Sequence, residues 1–340
     1  MRWLSILFFC CSFVSAAQDY RLFSVGFYNV ENFFDAVDDP HTFDEDYTPT
    51  GRKQWTTQLV EQKAAQMATV ISALKENPSQ KPPVLLGLAE IENRHVLELL
   101  VKQEKLKPYD YALVHFDSPD SRGIDVALLY QPTVFQLAFA KTYRLRLQSE
   151  SKQNFRTTRD QLVVSGYLEG MPLALLVSHW PSRRGGQKRS APFRMAAARL
   201  QKRIIDSLQR LDPPPQIMAM GDFNDNPDDE SLLFLTQFQK QSKSTTKPFF
   251  NAMDKLYKKG IGSLAHNDQW FLFDQILLSQ SLQTRERLFY VGSKIFNPPF
   301  LQTPEGRYKG YPYRTAQKGQ RLLGYSDHFP VYVLVGIQTR

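Results

Sequence analysis

Short apolar runs, rich in β-branched and aromatic residues, alternate along the chain with longer stretches of helical period. The runs predict strands at Leu22–Tyr28, Val84–Ala89, Ile124–Tyr130, Gln161–Tyr167, Leu173–Ser178, Gln216–Met220, Trp270–Leu278 and Phe329–Val335. Helices are predicted at Thr56–Lys75, Arg94–Glu104 and Ala191–Arg210. In the last, Met195, Ala198, Ile204 and Leu208 share one face, while Arg194, Arg199, Lys202 and Arg203 fall elsewhere. This alternation predicts a mixed α/β protein with a stacked-sheet core. Three polar stretches interrupt it: 35–55 is acidic with Pro and Gly, 239–268 is rich in Lys and Ser, and 297–324 is rich in Gly, Pro, Tyr and Arg. Loops this long in a compact domain are usually functional or mobile. There is no internal repeat and no low-complexity linker, and the length allows one large domain or two modest ones.

Residues 1–17 follow another rule. Arg2 gives a positive start, Trp3 to Val14 is an apolar run too short to span a bilayer, and Ser15, Ala16 and Ala17 are small. This is the layout of a secretory signal peptide with cleavage near Ala16 or Ala17, and it predicts a secreted or periplasmic product. Cys10 and Cys11 both fall inside it. The mature chain then has no disulfide and no thiolate metal ligand or nucleophile. No later run is apolar for long enough to cross a membrane, so no stable membrane insertion is expected. The 340 residues carry 42 Lys and Arg against 34 Asp and Glu, a formal charge of +8 that suits an anionic partner such as nucleic acid, phospholipid or phosphate ester.

The chemistry is concentrated where the apolar runs stop. Leu22–Tyr28 ends at Asn29, Val84–Ala89 at Glu90 and Leu173–Ser178 at His179. Gln216–Met220 leads through Gly221 to Asp222 and Asn224, and the last strand is preceded by Ser326, Asp327 and His328. Strands that deliver such side chains to one rim make a rigid, oxygen-rich site. Carboxylate and amide oxygens suit Mg²⁺ or another hard cation, with Mn²⁺ or Ca²⁺ as alternatives, better than zinc.

The strings FYNVENFFD (Phe27–Asp35), LAEIEN (Leu88–Asn93), SRGIDVALLY (Ser121–Tyr130), SHWPSR (Ser178–Arg183), MGDFND (Met220–Asp225), FDQILLS (Phe273–Ser279) and YSDHFPV (Tyr325–Val331) occur in this order. Together they resemble the endonuclease/exonuclease/phosphatase superfamily, whose fold is shared with deoxyribonuclease I, over about residues 21–336, which implies one domain of that family over 18–340. The resemblance implies a four-layered α/β sandwich, two mixed β-sheets flanked by helices, and a divalent-metal phosphoesterase. It implies Asn29, Glu90 and Asp327 at the metal, Asp222 and Asn224 on the attacking water and the transition state, and His328 on the scissile phosphate, oriented by Asp274. It makes His179 a second phosphate-contacting histidine and Arg122 a phosphate-binding arginine. The implied reaction is single-step in-line hydrolysis by water.

The basic run Arg183, Arg184, Lys188, Arg189 and Arg194 abuts the His179 motif, and Arg183 and Arg184 are expected to bind phosphate beyond the scissile group. Tyr308, Tyr311 and Tyr313 either stack on substrate or cover the sheet. Asn32, Glu31 and Glu92 read as turn, supporting or surface groups, and the acidic cluster Asp35 to Asp46 as a solvated loop. The expected function is a secreted monomeric endonuclease. The alternatives are a phosphatase or phosphodiesterase acting on a phosphoinositide, sphingomyelin or small phosphate ester, and a binding protein that keeps the scaffold. No apolar hairpin suited to membrane insertion is evident, which argues against a lipid substrate.

Overall fold

A computed structural model describes residues 20–75, 81–148, 155–237, 249–284, 286–317, 320–321 and 324–339. The predicted leader, 1–17, lies outside the described residues. Two six-stranded sheets make the body. In chain order their strands are β1 (Tyr20–Phe33), β2 (Leu85–Ile91), β3 (Ala112–His115), β4 (Asp125–Tyr130), β5 (Phe135–Tyr143), β6 (Gln161–Leu168), β7 (Met171–His179), β8 (Gln216–Asp222), β9 (Phe249–Asn251), β10 (Asp274–Ser279), β11 (Leu288–Ile295) and β12 (Val331–Gln338). Sheet one runs β11-β12-β1-β2-β4-β3 and sheet two β9-β10-β8-β7-β6-β5. Both are mixed: β1 pairs parallel to β2 and β8 parallel to β7, and their other pairs are antiparallel.

The inner faces of the sheets meet through Phe27, Leu86, Leu88, Val177, Met218 and Met220, all fully buried. Along β7, Leu173, Leu175 and Val177 join that core, while Ala174 and Leu176 face the opposite side. There they pack with Ala197, Ala198, Ile204 and Ile205 of helix α3 (Gln187–Leu208). A strand covered on both faces reads as an unbroken apolar run, which is why β7 and β8 stand out in the sequence. Helices α1 (Thr57–Ala73) and α2 (Arg94–Val101) pack together on the sheet-one side. The result is helix, sheet, sheet, helix, as expected.

Differences from the sequence reading are local. The predicted strand Trp270–Leu278 is cut in two. Gln269–Phe271 pairs with Leu264–His266 as a hairpin outside the sheets, and β10 begins only at Asp274. The cut falls where Leu272 N–H donates to Asn226 Oδ1 (3.0 Å) and Phe273 C=O accepts from Phe223 N–H (2.9 Å), so the backbone there serves the loop after β8. Helix α3 starts a turn early, at Gln187 rather than Ala191. Arg194 on that helix is fully buried rather than outward-facing, because its Nε lies 2.7 Å from Asp225 Oδ1. Strands β3, β5, β9 and β11 were not anticipated, nor were the short helices α4 (Glu230–Gln237) and α5 (Asp254–Tyr257).

Candidate active site

Three neighbouring strands of sheet two set one row of the site. Asp222 ends β8, opposite His179 of β7 on one side and Asp274 of β10 on the other. Gly221 permits this: a Cβ there would fall 2.2 Å from Ser178 C=O, so a side chain would force β7 and β8 apart just where His179 and Asp222 meet. His179 Nε2 lies 3.5 Å from Asp222 Oδ2.

Sheet one supplies the other row through backbone irregularity. The β1–β2 ladder shifts register between Asn29 and Phe33, and the β2–β4 ladder between Ala89 and Ile91. Such bulges re-aim side chains. Within them Glu31 (φ 52°), Asn32 (φ 53°) and Glu90 (φ 64°) adopt left-handed backbone, as does Asn224 (φ 52°) after β8. Non-glycine residues there cost about 1–2 kcal/mol each, and four of them mark one rim.

Side chains from the two rows interlock. Asn29 Nδ2 donates to Asp222 Oδ2 (3.1 Å), while Asp222 Oδ1 accepts from Asn224 N–H (3.0 Å). His328, just before β12, meets Asp274 Oδ2 through Nδ1 (2.7 Å), and Ser263 Oγ donates to the same oxygen (2.5 Å). His328 Nε2 points back toward Asp222 Oδ2 at 4.0 Å. Ser326 Oγ donates to Asn29 C=O (2.7 Å) and accepts from His328 N–H (3.1 Å), tying the last motif to the first.

The side chains that the resemblance assigns to a metal are held by their own hydrogen bonds and ion pairs, apart from the close cluster of Asp222, Asp274 and His328. Glu90 Oε2 accepts from Asn32 N–H (2.9 Å). Asn29 Oδ1 accepts from Glu31 N–H (3.0 Å). Glu31 is buried in the site rather than on the surface, 3.7 Å from Arg314 Nε, and Arg314 Nη2 reaches Asp327 Oδ2 at 2.5 Å. Thr315 N–H donates to Glu31 Oε2 (2.7 Å), and buried Lys63 donates to Thr315 Oγ1 (2.8 Å) and Tyr325 C=O (2.7 Å). The donor set of Asn29, Glu31, Glu90 and Asp327 is all oxygen, which fits a hard divalent cation. Such an ion would neutralise charge on a phosphoryl oxygen and stabilise a leaving alkoxide.

Burial and charge push neighbouring groups in opposite directions. Burial lifts the Asp222 carboxyl to about 7, with Asp274 adding to the rise and His328 opposing it. Burial draws the His328 imidazole toward neutrality, but the charges of Asp274, Asp327 and Asp222 outweigh it and hold its pKa well above the usual value. His179 goes the other way: burial, then Arg159, Arg122 and His328, keep it neutral. Burial, reinforced by Asp327, raises Glu31 to about 7, and burial lowers Lys63 to about 8. A proton-accepting carboxylate thus stands beside a cationic histidine, the pairing that general acid–base chemistry needs.

The predicted arginines divide. Arg122 lies on the 116–124 loop, partly exposed, its backbone N–H held by Asp120 Oδ1 (3.0 Å). Arg183 is spent inside the protein: Nε donates to Asn224 C=O (2.9 Å), and Nη2 to Asp229 Oδ2 (2.6 Å) and Asp225 Oδ1 (3.2 Å), over the Phe273 ring. Arg184 is exposed. Tyr311 packs edge-on against Trp270 and donates to Asp268 Oδ1 (2.9 Å), so this part of the Tyr-rich stretch is a braced cover. Glu92 accepts from Asp35 N–H (2.6 Å) and anchors the acidic loop. Lys63, Arg159, Arg314 and Ser263 were missed. Lys63 alone left a signal, a lysine among the buried Val60, Ala64 and Met67 of one helix face.

Comparison with known proteins agrees with this geometry. A family model described as the endonuclease/exonuclease/phosphatase family matches residues 24–336. A search of curated proteins returned no match. Among solved structures, the mannosyl-6-phosphatase of Bacteroides thetaiotaomicron aligns at 17% identity, covering 92% of this chain and 99% of that one, with a TM-score of 0.56. The human Nocturnin catalytic domain with bound sulfate aligns at 16% identity, 94% and 98% coverage and a TM-score of 0.56. TDP2 of D. rerio with a single-strand DNA product aligns at 12% identity, 92% and 98% coverage and a TM-score of 0.55. The chain therefore belongs to the endonuclease/exonuclease/phosphatase family of phosphoric ester hydrolases.

Proposed function

We propose that this protein is an exported, monomeric, divalent-metal-dependent phosphodiesterase that hydrolyses nucleic acid. The observation that carries the reading is the interlocked set Asn29–Asp222 (3.1 Å) and Asp274–His328 (2.7 Å), with His179 beside Asp222. Water attacks phosphorus in line, its proton passes to Asp222, and the P–O bond to the leaving alkoxide breaks. His328 and His179 donate to phosphoryl oxygens as charge builds, and Asn29, Glu90 and Asp327 would hold Mg²⁺ or Mn²⁺. The surplus of basic residues and the Arg122 loop favour a polyanion. The N-terminal signal-like segment favours export. Plasmid DNA and RNA incubated with the purified chain and Mg²⁺ or Mn²⁺ should be cut, and EDTA should stop it. Intact substrate across metals and pH would reject the nuclease reading. Size-exclusion light scattering checks the monomer, and N-terminal sequencing of exported product checks cleavage near Ala17.

One feature favours a second reading. Val37 and Phe43 are exposed (72% and 73%), and Phe43 N–H donates to Ser121 C=O (2.7 Å), setting apolar side chains beside the loop that carries Arg122 and the exposed Phe116. The sequence showed no such apolar rim. It suits a phospholipid headgroup at a membrane surface. Sphingomyelin and phosphoinositide vesicles in the same assay separate the two substrates.

A further inference from the structure

Arg159 lies on the segment leading into β6, and its side chain is almost fully buried. Its Nη1 donates to Asp120 Oδ2 (2.9 Å) and its Nη2 to Trp180 C=O (2.8 Å). Each acceptor holds a second group. Asp120 Oδ1 accepts the Arg122 backbone N–H (3.0 Å) and lies 3.8 Å from Arg122 Nε, while Thr158 Oγ1 donates to Asp120 Oδ2 (3.2 Å). Trp180 C=O also accepts from Asn224 Nδ2 (3.0 Å), and Trp180 N–H donates to Asp222 C=O (2.9 Å). One guanidinium therefore joins the loop that presents Arg122 to the strand ends that present His179, Asp222 and Asn224. A rigid planar fork can hold two acceptors at a fixed angle, which a flexible ammonium cannot.

We propose that Arg159 is a positioning residue that couples Arg122 to Asn224, so that phosphate binding and transition-state contact are set by one buried group. The proposal rests on the phosphoester reading of this rim. Arg159 touches no reacting atom; it acts through Asp120 and the Trp180 carbonyl. Its charge also helps keep neighbouring His179 neutral.

The test compares Arg159→Met, Arg159→Lys and Asp120→Asn with Arg122→Met in the full chain. Three quantities are read: the Kd of inorganic phosphate by calorimetry, kcat and KM on bis(p-nitrophenyl) phosphate with Mg²⁺, and Tm. Arg159→Met and Asp120→Asn should each weaken phosphate binding about tenfold, as Arg122→Met does, and the Arg159/Arg122 double variant should be no weaker than the worse single. Arg159→Met should in addition lower kcat, because Asn224 shares the freed carbonyl. Arg159→Lys should recover Tm without recovering kcat. Where Arg159→Met does not fold, the Lys and Asn variants carry the same comparison. Wild-type phosphate affinity in folded Arg159 variants, additive losses in the double variant, or full kcat in Arg159→Lys would each overturn the coupling. So would a wild-type chain that binds no phosphate. A wild type that shows the phosphate pattern but turns over no ester would sink the proposed function and leave the coupling standing.

Discussion

The two rows of the rim solve different problems with similar residues. The sheet-two row, His179, Asp222 and Asp274, is almost closed to solvent and joined to His328 by a direct hydrogen bond, and in the proposed mechanism Asp222 takes the proton while Asp274 holds the histidine. The sheet-one row is graded: Glu31 is buried, Glu90 and Asp327 are partly exposed, and Arg314 and Lys63 stand beside it as cations, which suits these carboxylates to holding charge in the proposed mechanism. In the proposed mechanism these carboxylates diverge in role because one row stands on regular strand ends against a histidine, while Glu31 and Glu90 of the other stand on bulged backbone and Glu31 and Asp327 face cations. Side-chain identity alone does not separate them; environment does.

The sharpest break in that contrast is to remove a member of the buried row. Asp222→Ala or His328→Ala should cost on the order of 10² to 10³ in kcat at saturating Mg²⁺ while the far-UV spectrum stays native. Full turnover by either purified variant would end the role assigned to it. Glu90→Gln should behave otherwise. Its loss, at least about tenfold in metal affinity, should appear at low Mg²⁺ and shrink as Mg²⁺ is raised. A deficit that added metal leaves untouched would move Glu90 into the proton-handling row.

A pH experiment sharpens the difference further. Asp274, with Asp327 and Asp222, holds His328 protonated well above its usual range. A raised histidine pKa contributes stability that is complete below the unfolded value and is lost as pH climbs through the folded one. Asp274→Asn should therefore move the alkaline limb of kcat toward acid and remove that stability over the same window. An unmoved limb in the asparagine variant would detach it from His328. The smallest effects belong to the arginines. Arg183→Met should cost about 2 kcal/mol of stability in urea, since it removes the cation between Asp225 and Asp229 and the donor to Asn224 C=O. Arg184→Ala should stay within about 0.5 kcal/mol and only flatten the salt dependence of substrate binding. Equal stability losses at the two positions would contradict the inward and outward placement seen here.

How much of this the sequence discloses depends on burial. Strands β7 and β8, covered on both faces, are plain apolar runs. Each unanticipated sheet strand, β3, β5, β9 and β11, is an edge. In β5 only Phe135 is fully buried, so alternation is too faint to register. The site shows the same divide. His179, Asp222 and His328 sit at ends of buried runs and were legible. Arg183 was misplaced because charge beside a site motif looks the same whether it faces substrate or the internal carboxylates Asp225 and Asp229. Glu31 was undervalued because only folding shows Thr315 and Arg314, nearly three hundred residues along, arriving beside it. Long-range polar partnerships carry no local period, so no pattern announces them.

The left-handed backbone at Glu90 has a consequence for anyone redesigning this enzyme. A substitution there is judged twice, once by the ion and once by the main chain. Glycine, which erases the carboxylate and its bond from Asn32 N–H, also removes the conformational penalty, so an inert Glu90→Gly protein should melt close to the native one. Screens for thermal robustness would then drift toward dead catalysts at this bend, and selection must read turnover alongside heat.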